Sequence, residues 1–339
     1  MSTYMAKEIL DIPNVIERQH EENAAVLIEL AEYLKRTKPT QIITLGRGSS
    51  NNASIYGKYL FETGLGIPVS VAAPSLSTIY KQPLIAKNAV LIVTSQSGKS
   101  PDLVNFALMM KEQGTKIIGI INDEKSPLAK ECDFLLGIKA GEEKSVAATK
   151  SFVGSLSIYA AIFAAWNEDS ELAEALINLP LTLDQVVNSE WPELIESLSH
   201  AKDLFVIGRG VGLSAAVEAA LKLKETCQIH AEGISASEIF HGSVSLITPQ
   251  YPVISFVGSD ASRESCLEVN KKLEGYGAKV FSLDHKASSE TTLVIPKVHP
   301  LLQPLVQISA YYKVIEKLSN HRGLNPDIPP NLKKVTETL

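Results

Sequence analysis

Cysteine is scarce in this sequence, and the few that occur lie far apart. The 339 residues include three, Cys132, Cys227 and Cys266, and none stands in a Cys-x-x-Cys or Cys/His spacing. Such a distribution argues against structural disulfides and against a zinc site, and it favours a reducing compartment. We therefore expect a cytoplasmic protein with buried, inert thiols and no bound metal.

Excess positive charge and long apolar runs are also lacking. The net charge is −6, and Lys and Arg are scattered rather than clustered, so the sequence predicts no nucleic-acid partner. The most apolar helical stretch, residues 156–166, is far shorter than the roughly 20 residues that a membrane span needs. The start, MSTYMAKEIL, is too polar for a signal peptide. We expect no membrane association, and an anionic substrate would have to be bound by local donors.

A hydroxyl-rich stretch, TSQSGKSPD at residues 94–102, follows an apolar run and looks at first like a nucleotide P-loop. A P-loop needs a glycine five positions before the Gly of Gly-Lys-Ser, and Val93 stands there, so a nucleotide P-loop is excluded. What remains is a strand, a Ser-rich turn and Pro101, where a helix should begin. Hydroxyls and free N–H groups at a helix N-terminus suit a single phosphate, although an ordinary capped turn would have the same sequence.

The chain repeats itself, which is its most informative large-scale feature. IITLGRGSSNNAS (42–54) matches LFVIGRGVGLSAA (204–216), and GTKIIGI from Gly114 matches GAKVFSL from Gly277. Two repeats of about 160 residues, each alternating strand and helix, predict two α/β lobes with parallel sheets flanked by helices. We divide the chain into an N-terminal helical segment (1–38), a first lobe with connecting helices (39–180), a second lobe (181–320) and a C-terminal tail (321–339). Pro180 should separate or kink one connecting helix.

The two Gly-Arg-Gly turns do not form a dinucleotide fingerprint. The third glycine of GxGxxG is missing, since Asn51 and Leu213 occupy its positions, so neither NAD nor FAD is expected. In open parallel sheets a ligand binds at the carboxyl ends of the strands, where the hydroxyl-rich turns of the first lobe would meet. The hydroxyl-rich turns at this edge indicate a binding site for a single phosphate group. Its polar side chains are Ser49, Ser95, Gln96, Ser97 and Ser100.

One helix of the second lobe carries a group of ionisable side chains. Glu218, Lys222 and Glu225 share one helical face, and the many alanines and leucines around them indicate that the helix is largely enclosed. The spacing fits either a proton-transfer base beside a lysine or a solvated face with a weak Glu–Lys pair. His241, between a short helix and a strand-like run, is either a ligand contact or a structural histidine. No hydrolase triad sequence is present.

Taken together, the motifs resemble the sugar isomerase (SIS) family, and within it the isomerase half of glucosamine-6-phosphate synthase. The resemblance extends from about Thr40 to the tail. Its motifs are the paired Gly-Arg-Gly turns, SQSGKSPD, EEKSVAATKSF (142–152), ALKLKE (220–225), SEIFHG (237–242) and NLKK (331–334). The resemblance implies two tandem doubly wound, flavodoxin-like lobes, a homodimer, and a tail that closes the active site.

The resemblance also implies roles for single residues. The polar side chains of the first lobe match the family's sugar-phosphate cradle, and Lys99 stands within it where the synthase has a glutamate. Val146 and Ala148 match positions that approach the sugar, with alanine replacing a serine at the latter.

In the second lobe, Glu225 matches the base that moves a proton between C1 and C2, and Glu218 and Lys222 line the same site. His241 matches the ring-opening acid–base, which the family takes from the neighbouring subunit, so the active site would lie at a subunit interface. Lys334 matches a lysine that closes over the open-chain sugar and can form a Schiff base with a ketose.

The implied activity is deamination of an amino sugar phosphate. The chain starts Met-Ser-Thr and its first cysteine is Cys132, so we expect no glutaminase nucleophile and no use of glutamine nitrogen within this chain. Glucosamine 6-phosphate and water would then give fructose 6-phosphate and ammonia, without metal or cofactor. The alternatives are a galactosamine-6-phosphate deaminase, a fructosamine-6-phosphate deglycase, an aldose–ketose isomerase, a non-catalytic sugar-phosphate sensor and a structural subunit that helps another enzyme.

Overall fold

A computed structural model describes residues 2–287 and 289–334 of the chain. By internal contacts the chain divides into two compact units. One unit holds the segments 14–143 and 150–177 with the tail from Lys333, and it contains the first lobe. The other holds the N-terminal residues up to Pro13, the segment Lys144–Thr149 and the segment Asn178–Leu332, and it contains the second lobe. The chain begins with three helices, α1 (Tyr4–Leu10), α2 (Ile12–Glu22) and α3 (Ala24–Thr37).

The first lobe is a five-stranded parallel sheet with strand order β2-β1-β3-β4-β5. Its elements are β1 (Gln41–Leu45), α4 (Ser49–Leu65), β2 (Val69–Val71), α5 (Ser75–Thr78), β3 (Ala89–Ser95), α6 (Pro101–Glu112), β4 (Lys116–Ile121), α7 (Pro127–Lys130) and β5 (Phe134–Gly137). Every residue of β3 is buried, because a central parallel strand is covered on both faces. Leu45 of β1 pairs with Val93 of β3, so the turns that follow these strands lie at the same edge of the sheet.

Three helices connect the lobes: α8 (Lys150–Asn167), α9 (Ser170–Val186) and α10 (Pro192–Leu198). Helix α8 is buried along most of its length, and its Tyr159 and Phe163 lie so close to Gly57 and Gly64 of α4 that no larger residue fits there. Of the two effects expected of Pro180, separation of the helix is wrong, because α9 runs through it, and a kink stays a prediction. Proline removes one N–H donor from a helix, and here the flanking turns remain helical.

The second lobe repeats this arrangement, with strand order β10-β9-β8-β6-β7. Its elements are β6 (Asp203–Gly208), α11 (Gly212–Cys227), β7 (His230–Ser235), two 3₁₀ helices (Glu238–Phe240 and Ser243–Leu246), β8 (Pro252–Phe256), α12 (Arg263–Gly275), β9 (Lys279–Asp284), β10 (Thr292–Val294), a 3₁₀ turn (Pro300–Leu302) and α13 (Gln303–His321). The strand-like run expected after His241 is therefore wrong. Residues 243–246 form 3₁₀ turns because they have no neighbouring strand with which to pair.

Both sheets have the strand order 2-1-3-4-5 when their strands are numbered within each lobe, which is the flavodoxin-like order. All pairings that define the two sheets are parallel. The predicted α/β fold of two tandem doubly wound lobes is confirmed. The proposed closing role of the tail stays a prediction, and residues 335–339 lie outside the described residues.

Candidate functional site

The turn after β3, which we call the first polar turn (residues 95–100), is held by its own hydroxyls. Ser95 Oγ accepts a hydrogen bond from the Gly98 N–H at 2.9 Å, and Ser97 Oγ accepts one from the Lys99 N–H at 3.3 Å. Gly98 has φ of 61°, and a Cβ there would lie 2.0 Å from Ser126 Oγ, so only glycine fits. The turn thus delivers small polar groups to the N-terminus of α6, a suitable place for one phosphate.

The neighbouring Gly-Arg-Gly turn is tied to the same helix by an ion pair. Arg47 donates to Asp102 Oδ2 from Nε at 2.9 Å and from Nη2 at 2.7 Å, and the Asp102 carboxylate is buried. Ser49 is the first residue of α4, directly after this turn. The pair therefore fixes the two hydroxyl-bearing turns to each other. The sequence analysis missed it, although an acidic residue just after Pro101 and an arginine in a facing turn are a usable signal.

Gln96, Ser100 and Lys99 complete the first polar turn. The Gln96 carbonyl accepts from the Asp123 N–H at 3.2 Å, and Ser100 leads into α6 without a side-chain cap. Lys99 is exposed, and its Nζ lies 3.0 Å from Asp123 Oδ2. The hydrogen bond from Lys99 is the main cause that lowers the pKa of the Asp123 carboxyl. Lys99 is thus directed at the loop after β4.

In the second lobe, helix α11 carries a buried charged array formed by Glu218, Lys222 and Glu225. Lys222 Nζ lies 3.2 Å from Glu218 Oε1 and also contacts Glu225 Oε2, and the Glu218 and Lys222 side chains are fully buried. The Tyr312 hydroxyl donates to Glu218 Oε1 at 3.4 Å. Glu225 retains 19% side-chain exposure, so it is the end of the array that a ligand can reach. The structure therefore shows that this face of the helix is enclosed and not solvated.

The protonation of Lys222 follows from this environment. Burial alone would lower its pKa, but the two carboxylates outweigh burial and raise the pKa above the ordinary lysine value. Lys222 is therefore an ammonium group at neutral pH. With two carboxylates and one ammonium, the array has a carboxylate in excess, which a proton-transfer base requires.

His241 follows the 3₁₀ helix Glu238–Phe240, and its backbone N–H donates to the Glu238 carbonyl at 2.9 Å. The residue is exposed, and within the described part of the chain its imidazole has no hydrogen-bond partner. A structural histidine is held by neighbours, so the exposed ring favours a ligand contact. Val146 and Ala148 are half-buried in the same unit, and the Val146 N–H donates to the Asp327 carbonyl at 3.2 Å.

Lys334 is held by a buried carboxylate that the sequence analysis did not single out. Its Nζ lies 2.9 Å from Glu143 Oε2, and the Glu143 side chain is fully buried. Glu143 also accepts from the Ser151 hydroxyl at 2.7 Å and from the Ser151 N–H at 3.2 Å. A buried acid in a loop is hard to recognise without knowing that the tail supplies its cation. Glu143 is thus the partner that places the Lys334 ammonium.

The candidate residues divide into two groups, one in each compact unit. Ser49, the first polar turn and Lys334 belong to the unit of the first lobe, and the charged array, His241, Val146 and Ala148 to the unit of the second. Over residues 2–287 and 289–334, no group of three or more His, Cys, Asp or Glu side chains could hold a metal ion. None of the described helices has both the length and the apolar character for a membrane span.

Two of the relatives in sequence are aminotransferases that are longer than this chain. The glutamine–fructose-6-phosphate aminotransferase (isomerizing) of Methanothermobacter thermautotrophicus is 32% identical over 98% of the chain, and that of Pyrococcus horikoshii is 30% identical over the same share. The chain spans 57% of the length of each.

Among solved structures, a provisionally assigned phosphosugar isomerase of Silicibacter pomeroyi superimposes with a TM-score of 0.90 at 36% identity, over 96% of this chain and 100% of that one. The glucosamine-6-phosphate deaminase of Thermotoga maritima has a TM-score of 0.80 over 99% of this chain and 100% of that one. Its 23% identity shows a common fold alone.

The SIS domain family matches residues 34–165 and 197–292, one segment in each lobe. These segments contain both Gly-Arg-Gly turns, the first polar turn and the charged array. On this match and on the relatives in sequence, the chain belongs to the SIS domain family.

Proposed function

We propose that the protein deaminates an amino sugar phosphate, converting glucosamine 6-phosphate and water to fructose 6-phosphate and ammonia. The observation that carries the proposal is the charged array of α11, a reachable carboxylate beside a fully buried ammonium. Proton transfer between adjacent carbons of a sugar needs a positioned base and a group that stabilises the developing negative charge. Glu225 and Lys222 supply these two functions.

The proposed reaction begins with ring opening. His241, whose exposed imidazole can accept and donate a proton, moves a proton between O5 and O1 and so frees the aldehyde. Glu225 then removes the proton from C2 and returns it at C1, while the Lys222 ammonium stabilises the negative charge on the enolamine intermediate. The product is an imine at C2. Water adds to it, the C–N bond breaks, and ammonia leaves with fructose 6-phosphate as the second product.

The phosphate is assigned to the first polar turn. Its hydroxyls and the N-terminus of α6 suit one phosphate group. A phosphate bound away from the reacting carbons would hold C1 and C2 in position for proton transfer. The Lys334 ammonium, placed by Glu143, would close over the open-chain sugar. We further propose a cytoplasmic homodimer in which His241 acts on the substrate of the neighbouring subunit.

Water, rather than glutamine, is the proposed partner of the reaction because the thiols of this chain are poor nucleophiles. Burial raises the pKa of Cys132 to about 12 and that of Cys227 to about 11, and it also raises the pKa of Cys266. A glutaminase nucleophile needs a thiolate near neutral pH. The second candidate, an aldose–ketose isomerase of phosphosugars, is favoured by the similarity to the Silicibacter pomeroyi protein and shares every step except loss of the amine.

The test is ammonia release from glucosamine, galactosamine and N-acetylglucosamine 6-phosphates, with C2 proton exchange on glucose and fructose 6-phosphates measured in parallel. For Glu225→Gln we expect both to fall by about 10³-fold or more, with sugar-phosphate binding retained. The exposed neighbour on the same helix supplies the control, since Lys224→Gln should leave both rates unchanged. Ammonia release by Glu225→Gln at near the original rate would refute the base assignment. Proton exchange without ammonia from any amino sugar would favour the isomerase.

The subunit assignment of His241 is tested by mixing two inactive variants. If each active site combines Glu225 of one subunit with His241 of the other, mixed dimers of Glu225→Gln and His241→Asn contain one intact site and regain activity. Each variant alone should be inactive. No recovery after subunit exchange, confirmed by mass spectrometry of the mixed dimers, would place both residues in one chain's site.

A further inference from the structure

The loop Lys144–Thr149, which contains the two residues assigned to the sugar, has an irregular backbone between β5 and α8. Such a backbone is fixed by the groups that bond its N–H and C=O. The N–H groups of Lys144 and Ser145 both donate to the carboxylate of Glu8 on α1. From the Ser145 N–H the distances are 3.3 Å to Oε1 and 3.4 Å to Oε2. A residue 136 positions earlier in the sequence thus anchors this loop.

Glu8 places a carboxylate on the buried face of α1. It is 6% exposed and shares that face with Met5, Ala6 and Ile9, which are apolar. A carboxylate is costly to remove from water unless donors compensate for the loss, and hydrogen bonds from N–H groups to a carboxylate are stronger than those between neutral groups. Packing alone does not require a charge at this position. The backbone N–H groups of the loop provide compensation, so the helix and the loop stabilise each other.

Helix α1 is itself anchored at its first turn. The Thr3 hydroxyl donates to Glu316 Oε1 on α13 at 2.8 Å. The N–H groups of Tyr4 and Met5 donate to the two carboxylate oxygens of Asp327, each at 2.8 Å. All these residues belong to one compact unit, which also contains the loop. The helix is therefore a fixed support for the carboxylate that holds the loop.

The same stretch of chain binds the tail at two points. The Val146 N–H donates to the Asp327 carbonyl at 3.2 Å, and Glu143, which directly precedes the loop, holds Lys334 Nζ at 2.9 Å. Glu8 bonds the two residues between these points. The contacts to the tail therefore lie on either side of the residues that Glu8 fixes.

We propose that Glu8 is a positioning residue: it fixes the loop, and with the loop the sugar-facing backbone at Val146 and the tail that carries Lys334. The proposal rests on the proposed function, which assigns both of these residues to the site. Without Glu8 the loop would be ordered in only a fraction of the free protein, and the apparent affinity for substrate would fall by that fraction. In the complex the loop is ordered in either case. The KM should therefore rise while kcat stays nearly unchanged.

Kinetics of ammonia release test this division. Glu8→Ala removes the acceptor and keeps a good helix former, and we expect the KM for glucosamine 6-phosphate to rise about tenfold with kcat within about twofold. Glu8→Gln keeps one acceptor oxygen and should recover most of the affinity. Glu21→Ala, at an exposed carboxylate of α2, is the matched control and should change neither constant. A merely structural defect would lower the amount of active enzyme, so a fall in kcat at constant KM would overturn the proposal.

Amide hydrogen exchange tests the anchoring without requiring that the protein be a deaminase. In Glu8→Ala, exchange should become about tenfold faster at the two direct partners of Glu8 and also at Val146, whose N–H bonds Asp327. The N–H groups of Tyr4 and Met5 should exchange as before, because the anchors of α1 remain. Faster exchange at these two amides as well would show that α1 is released as a whole. Unchanged exchange at Val146 would confine Glu8 to its direct partners. Either result would overturn the proposal.

Inorganic phosphate binding separates this proposal from the proposed function. Calorimetry should give the same phosphate affinity for Glu8→Ala and the original protein, because the first polar turn belongs to the other compact unit. A loss of phosphate binding in the variant would indicate a general defect and would count against a positioning role. If the original protein released no ammonia while the exchange rates changed as expected, the deamination would be refuted and the anchoring of the loop by Glu8 supported.

Discussion

The two lobes have the same strand order but differ at the turn where a ligand would bind. In the second lobe, Asp260 accepts hydrogen bonds from the N–H and the hydroxyl of Ser262, and its carboxylate lies beside Gly210 of the second Gly-Arg-Gly turn. In the duplicated sequence Ser97 stands in the place of Asp260. The second lobe thus supplies its own anion to its own donors, whereas the first polar turn contains no carboxylate. The fold provides two similar turns, and the proposed phosphate site lies at the one that has no carboxylate of its own.

The helices that follow the two Gly-Arg-Gly turns, α4 and α11, also differ between the lobes. At the positions of α4 that match Glu218, Lys222 and Glu225 stand Tyr56, Leu60 and Thr63. Tyr56 and Leu60 are buried. A buried ionic group is rarely more stable than a well-packed apolar one, so the array of α11 costs stability that the first lobe does not incur. We call the turn that contains Asp260 the closed turn and the first polar turn the open turn. The lobe with the closed turn has the charged array, and the lobe with the open turn has Tyr56, Leu60 and Thr63 at the matching positions.

The largest effect should come from making α11 resemble α4 at one position. Lys222→Met removes the ammonium but keeps the length of the side chain, and it leaves two carboxylates facing each other in the buried array. We expect the free energy of unfolding to fall by about 3–5 kcal/mol and the catalytic rate to fall by about 100-fold or more. Urea unfolding and ammonia release measure the two effects.

The matching change in the first lobe is the control. Leu60→Met is close to volume-conserving and should cost less than about 1.5 kcal/mol, with no effect on the rate. If Lys222→Met lowered the free energy of unfolding as little as Leu60→Met does, the charges of the array would not depend on one another as its geometry indicates.

The next largest effect should come from copying the closed turn into the open one. Ser97→Asp places a carboxylate in the first polar turn. The carboxylate would accept hydrogen bonds from the N–H groups of the turn and repel a phosphate. We expect the KM for a phosphorylated sugar to rise about 100-fold, with a small change in kcat and in thermal stability. Ser97→Asn, which is neutral, should raise the KM far less. An equal rise for both variants would mean that Ser97 acts through shape and not through charge.

Much of this difference between the lobes could be predicted from the sequence, because the sequence signals for it are local. The Gly-Arg-Gly repeats and the apolar strands gave both lobes, and helical spacing alone placed Glu218, Lys222 and Glu225 on one face. Contacts between distant segments could not be obtained in this way. The Lys334–Glu143 pair joins residues 191 positions apart in the sequence, and no periodicity links them.

The closure of the second turn by Asp260 was also missed, because an aspartate before a helix has the same sequence signal whether it caps the helix or occupies an anion site. The run after His241 shows the converse error. Its alternating pattern is typical of a strand, but a strand also needs a partner, and Ser243–Leu246 has none.

A smaller effect should follow from opening the closed turn. Asp260→Ser removes the internal anion and frees the N–H and hydroxyl of Ser262. Phosphate titration followed by calorimetry should then show a second, weak site with a dissociation constant in the millimolar range, of the order of 1 mM. The original protein should bind one phosphate per chain. A variant that still binds only one would show that a free turn is not sufficient and that the Arg47–Asp102 pair of the first lobe is also required.

The smallest effect is expected at Lys99, the cationic residue of the first polar turn. Both side chains of its pair with Asp123 are substantially exposed, so Lys99→Gln should lower the free energy of unfolding at pH 7 by no more than about 0.5 kcal/mol. The pH dependence has a definite sign. Pairing lowers the pKa of Asp123 in the folded state, so its contribution is present above the unfolded carboxyl pKa of about 3.9 and is lost as pH falls through the lower folded value.

Urea unfolding of the original protein and of Lys99→Gln should therefore differ slightly at pH 7 and converge in acid. The KM for the phosphorylated sugar should stay within about twofold, because Lys99 is directed at Asp123 and the hydroxyls of the turn are unchanged. A rise in KM comparable to that of Ser97→Asp would make Lys99 a phosphate ligand. The first polar turn would then differ from the closed turn by a gained cation as well as by a missing carboxylate.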